Sequence, residues 1–187
     1  MKEKQLTYWQ KQLKERPSIR QLSEQFLNDD LYSQLEEFLQ YIEKNKMPLS
    51  LCRCNTYESK FKGKTVFRIV IANGEMGQKD KYAIKIRTVR NSHFSEDRRN
   101  EIQNSLNDYF SRLESNLSEY AVNHLSKCRG TCPCRPGIKL DILGKSYSGV
   151  CFSDISFIRI NNPNEADYMI INKLIDIRRQ NILHEID

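Results

Sequence analysis

Four of the six cysteines in this 187-residue chain fall in one stretch, Cys128-x₃-Cys132-x-Cys134 followed by Cys151. Four thiolates satisfy tetrahedral Zn²⁺ and leave no open coordination position, which is the chemistry of a structural metal site. The loop KCRGTCPCRPG, over 127–137, carries Gly130, Pro133, Pro136 and Gly137 and almost no apolar side chain. It has little to bury, so a bound ion would give it the cohesion that a hydrophobic core gives elsewhere. Lys127, Arg129, Arg135 and Lys145 would offset the net charge of a four-thiolate zinc centre and favour thiolates over thiols. Lys145 would also present a charge to an anion. Two other chemistries stay open for the same residues. The cysteines also read as unliganded thiols, with Cys151 a small apolar residue in a strand. Alternatively Cys132 and Cys134 form a redox pair, because a C-x-C disulfide is strained and easily reduced.

Cys52-x-Cys54 is a separate pair at the start of a strand. Alternation puts both on one face, where they read more simply as half-buried strand positions than as ligands.

Nothing else in the sequence has the spacing of a known catalytic device. There is no P-loop, G-x-G-x-x-G, H-E-x-x-H, nucleophile elbow or D-x-D metal run. His93, His124 and His184 form no plausible set, and no residue nominates itself as catalytic. A basic stretch offers a different function. Lys79, Lys81, Lys85, Arg87, Arg90, Arg98 and Arg99 surround Tyr82. On a strand Lys81, Lys85 and Arg87 would share a face and track phosphates, with Arg98 and Arg99 extending the row. The bland alternative is a solvated face blunting a sheet edge.

Composition sets the frame. Lys and Arg number 30 against 24 acidic residues, a net charge of +6. That excess suits an acidic partner or nucleic acid, although the two signs are mixed along most of the chain. A homodimer also stays open. Apolar residues make up 39%, with 8 Phe, 9 Tyr and one Trp, too aromatic for a disordered chain. No stretch approaches the ~18–20 consecutive apolar residues that span a bilayer. With no apolar secretory core at the N-terminus and no lipidation box, the expected compartment is the cytoplasm.

The positioning elements follow from periodicity. Leu6, Trp9 and Leu13 predict a short helix over 3–14, interrupted by Pro17, after which Ile19, Leu22 and Phe26 resume the stripe. Asn28, Asp29 and Asp30 cap a third helix carrying Leu31, Leu35, Phe38, Leu39 and Ile42. From Leu49 to Val89 the period falls to two. That predicts three antiparallel strands, a hairpin at Lys62-Gly63-Lys64, and a last strand, Tyr82 to Arg87, with one wet face. A long helix follows Ser95, weakest at Ser115-Asn116. Strands over 138–142 and 150–160 flank Gly144, and a final helix from Asn164-Glu165 would turn Met169, Ile170, Leu174, Ile177 and Ile182 inward.

Strands arrive in hairpin-sized runs, which predicts an α+β fold. Its antiparallel sheet of about five strands would be packed by a long central helix and a C-terminal helix, with a helical extension over 1–27. Lys62-Gly63-Lys64 before Val66–Ile71, Cys132 and Cys134 with Pro136-Gly137, and Ile142-Leu143-Gly144-Lys145 form a recurring pattern. Val150-Cys151, Asn162-Pro163 and Lys173-Leu174-Ile175 before Arg178 complete it. In these features residues 50–182 resemble a group of small bacterial proteins with no assigned activity. The resemblance implies one folding unit over 28–187 and transfers no catalytic residue. The expectation is therefore a non-enzymatic binding or regulatory module with a zinc-held loop at Cys128, Cys132, Cys134 and Cys151. A thiol-based redox enzyme or sensor at Cys132 and Cys134, and a nucleic-acid-binding accessory protein, are the alternatives.

Overall fold

A computed structural model describes residues 7–72, 79–89, 99–128 and 136–184. Among them are helices α1 (Tyr8–Glu15), α2 (Ile19–Phe26), α3 (Asp29–Lys44), α4 (Arg99–Ser111), α5 (Ser115–Asn123) and α6 (Glu165–His184). The strands are β1 (Leu49–Arg53), β2 (Thr56–Phe61), β3 (Lys64–Ile71), β4 (Tyr82–Arg87), β5 (Ile138–Ile142), β6 (Lys145–Val150) and β7 (Phe157–Asn161). Five strands form one antiparallel sheet in the order β1-β2-β3-β4-β7, while β5 and β6 pair separately as a two-stranded hairpin. The fold is α+β.

The chain divides into two compact units, one of residues 1–85 with 160–187, the other of 86–159. In the first, α3 supplies the apolar stripe that its sequence announces: Leu35, Phe38, Leu39 and Ile42 are all buried. Phe38 stacks on Tyr168 of α6, with ring centroids 5.4 Å apart, and lies tilted against Phe67 of β3 at 5.8 Å. Tyr168 and Tyr82 share a buried hydroxyl contact of 2.6 Å. Burial pushes both phenols above the ordinary tyrosine range, so this contact stays protonated.

The first two helices are short, and each is started by a capping box, Thr7 with Gln10 and Ser18 with Gln21. α2 contributes buried Ile19 and Leu22. α1 is held differently, through a polar lock. The Gln12 side chain donates from Nε2 to Asn55 Oδ1, and the Asn55 backbone N–H donates back to Gln12 Oε1 at 3.0 Å. Asn55 sits in the tight β1–β2 connection at φ 49°, a left-handed position that Asn tolerates better than most residues. The Tyr8 hydroxyl donates to the same Oδ1 at 3.2 Å.

Several details depart from the sequence expectation. The 49–89 region holds four strands, since Leu49–Arg53 forms a strand of its own before the Asn55 turn. β4 has no continuous wet face: of its residues only Lys85 escapes full burial. The 150–160 run is split by a 3₁₀ turn at Phe152–Asp154, and its first part belongs to the hairpin, not the main sheet. The long helix breaks at residues 112–114, just before Ser115-Asn116. The Asn116 side chain there accepts from the Leu117 N–H, the local competition that makes Asn a poor interior helix residue. In α6 the inward stripe is Tyr168, Ile171, Leu174, Ile175 and Ile182, whereas Met169 is 69% exposed.

Gln12→Ala removes both halves of the amide lock and leaves buried Asn55 with fewer hydrogen bonds. We expect a loss of about 1–3 kcal/mol in chemical denaturation. Amides of 8–15 should lose hydrogen-exchange protection before those of α3.

Candidate functional site

The second unit positions the cysteines. After α5 the chain leaves the helix at His124 and runs as a ladder strand, with Leu125 bridged to Ile158 and Lys127 bridged to Val150, both antiparallel. Two backbone hydrogen bonds frame the second bridge: Cys128 N–H to Gly149 O at 2.8 Å, and Cys151 N–H to Ser126 O at 2.7 Å. Cys128 therefore stands opposite Gly149, and Cys151 opposite Ser126. Opposed residues share a face, and so do residues two apart, so Cys128 and Cys151 are diagonal neighbours on one face, roughly 7–8 Å apart. Ser126 on that face donates to Asp154 Oδ2 at 2.8 Å, tying down the turn after Cys151.

Cys132 and Cys134 lie outside the described residues. The chain re-enters at Pro136-Gly137, and Gly137 seats directly on the ladder. A Cβ built there would fall 2.7 Å from the Gly149 carbonyl carbon and 2.9 Å from Cys128 Cβ. Gly137 also has φ 101°, so the position needs glycine for both space and backbone conformation. Both ends of the cysteine loop thus meet at one point, beside Gly149.

The hairpin itself is fastened at both ends. Its open end is the ladder just described. Toward its tip, Gln103 and Asn107, one turn apart on α4, treat the β5 edge as a strand would. Asn107 Nδ2 donates to Asp141 O at 3.0 Å, its Oδ1 accepts from the Leu143 N–H at 3.1 Å, and Gln103 Oε1 accepts from the Asp141 N–H at 3.2 Å. Gln103 Nε2 adds a donation to Asp141 O.

The remaining expected residues are scattered. Cys54 is buried and Cys52 half-buried at the end of β1. Burial pushes the Cys52 thiol up, and the nearby Glu58 carboxylate pushes it further, the opposite of an activated nucleophile. Of the basic stretch, Lys81 is exposed and Lys85 half-buried. Arg87 is only 6% exposed, its guanidinium 4.8 Å over the Phe157 ring and its Nε donating to the Val89 carbonyl. Its charge is engaged inside the fold. Arg98 and the side chain of Arg99 lie outside the described residues. Among the described residues no disulfide joins any cysteines, and no group of three or more His, Cys, Asp or Glu side chains is gathered as a metal site. No described helix is long and apolar enough to cross a membrane.

The second unit also holds a cavity. Between α4–α5 and the hairpin tip lies a space of about 490 Å³, lined by both apolar and hydroxyl-bearing side chains and by Lys145. No motif marks it, because its walls come from three separate stretches of chain.

No family model, no curated protein and no solved structure matches this chain. Its function must be argued from its own geometry.

The fit of Gly137 on the ladder gives a direct check. Gly144 also has a positive φ, but nothing stands within 4 Å of a Cβ there. Gly144→Ala should cost about 1–2 kcal/mol from backbone conformation alone. Gly137→Ala should cost about 1–3 kcal/mol more, from overpacking against Gly149 and Cys128. Paired urea titrations of the two variants measure the difference.

Proposed function

We propose that this chain is a non-enzymatic binding or regulatory module whose 128–151 segment is clamped by one structural Zn²⁺. Cys128, Cys132, Cys134 and Cys151 are its ligands. The observation that carries this reading is the shared face of Cys128 and Cys151 on the 126–128/149–151 ladder. Backbone pairing alone sets these two residues, 23 apart in sequence, on one face. The loop geometry adds to it. Cys132 is four residues from Cys128, and Cys134 is three from Gly137, contour lengths of about 14 and 11 Å from the pinned base. Both spacings are long enough for the thiols to reach back to the base of the loop.

A closed four-thiolate centre has no position for substrate or water, so its contribution is to folding. It fixes the polar loop and, through Cys151, the strand that forms the hairpin's open end. Lys145, at the other end of the hairpin, is left as a charge for an anionic partner.

Protein purified under reducing conditions without chelator should contain about one zinc per chain by elemental analysis. Cys128→Ser and Cys151→Ser should each lose most of it. Chelation should lower the melting temperature of the wild-type chain. Metal-free protein that melts at the same temperature as the isolated protein would contradict the proposal.

A further inference from the structure

We infer that the cavity at the hairpin tip is a binding site for a small anion with an apolar body, such as an aryl-alkyl carboxylate. The inference goes beyond the zinc reading, because none of the cysteines lines the cavity and it holds whether or not they bind metal.

Its volume, about 490 Å³, is in the range of small-molecule sites. Phe110, Leu113, Val122 and Ile142 give it apolar walls, enough for a ring or a short branched chain. Its polar groups are the informative part. Ser118 is 3% exposed and lines the cavity, and its hydroxyl is buried with no hydrogen-bond partner. An unmatched buried hydroxyl is costly to the free protein, and native structures keep few of them. The Ser118 oxygen is itself covered, so a ligand acceptor would complete it once the side chain turns toward the cavity. Lys145 is exposed in the same lining, and no ion pair engages it among the described residues. Ser115, also in the lining, lies in the first turn of α5, which has no side-chain cap. The positive end of that helix adds to the attraction for a negative head group.

The hairpin tip carries a second sign of use. Leu143 and Gly144 form its two-residue turn with φ values of 49° and 77°, the pairing that favours Asn-Gly. A leucine is strained there and stands 50% exposed. Its place in the cavity lining supplies a reason for it: an apolar lip over a bound ligand. Glu119 lines the cavity too and is exposed. It opposes an anion, so the charge preference is the decisive property to measure.

The full chain, isotopically labelled, is titrated with 4-phenylbutyrate, neutral 4-phenylbutanamide and cationic 4-phenylbutylamine, following backbone amide shifts. Saturable shifts confined to residues 110–123 and 142–147, with the carboxylate binding at least fivefold more tightly than the amide, are expected. Lys145→Gln, an exposed change that leaves the fold intact, should erase that preference while leaving the amide's affinity unaltered. Ser118→Ala should raise the melting temperature of the free protein by a few degrees and weaken carboxylate binding. Equal affinities for the three probes, tighter binding of the amine, no saturable shifts at millimolar concentration, or a Lys145→Gln variant that keeps the preference would each overturn the inference.

Discussion

Two backbone hydrogen bonds, from Cys128 to Gly149 and from Cys151 to Ser126, place the functional parts of the second unit. A two-stranded hairpin such as β5–β6 is marginal on its own in water. Here the strand after α5 extends the sheet by one short rung at its open end, and two amide side chains of α4 do the same toward its tip. Fastened twice, the hairpin can hold one set of side chains over the cavity and another set beside the cysteine loop. The ladder also explains why Gly137 and Gly149 face each other. Gly137 approaches the 149 backbone there more closely than a side chain at 137 allows.

The two ends of the hairpin differ in chemistry. The cysteine end adjoins a stretch of sequence with almost no apolar side chain. The tip end adjoins a cavity with apolar walls and one buried hydroxyl, that of Ser118, without a partner. The proposed binding module, with a metal-fixed base and an open tip, takes in both without assigning a reaction to any residue.

Much of the scaffold was readable from the residues because local chemistry and fold agree there. Asn28 caps α3, the Lys62-Gly63 turn has φ values of 49° and 77°, and the α3 stripe is buried as its spacing requires. What was not readable depended on neighbours. Alternation along β4 marked Lys81, Lys85 and Arg87 as a wet face; Lys81 is exposed and Lys85 half-buried, but Arg87 is buried with its guanidinium over Phe157. In α6 Leu174 and Ile182 are buried as their spacing requires, but Met169, apolar yet flexible, tolerates water, while Tyr168 beside it packs on Phe38. Pairing β5 with β6 apart from the main sheet needs the α4 amides, which carry no pattern that sequence reading can detect. At the site, spacing nominated the cysteines, and the ladder brings Cys128 and Cys151 to one face. The cavity's lining is discontinuous in sequence and left no signature.

X-ray absorption at the zinc edge of the purified, reduced chain tests the central claim most directly. Four sulfur scatterers at about 2.3 Å, falling to three or fewer in Cys151→Ser, are the predicted result. A first shell dominated by nitrogen or oxygen at about 2.0 Å, or a chain carrying no zinc, would contradict it.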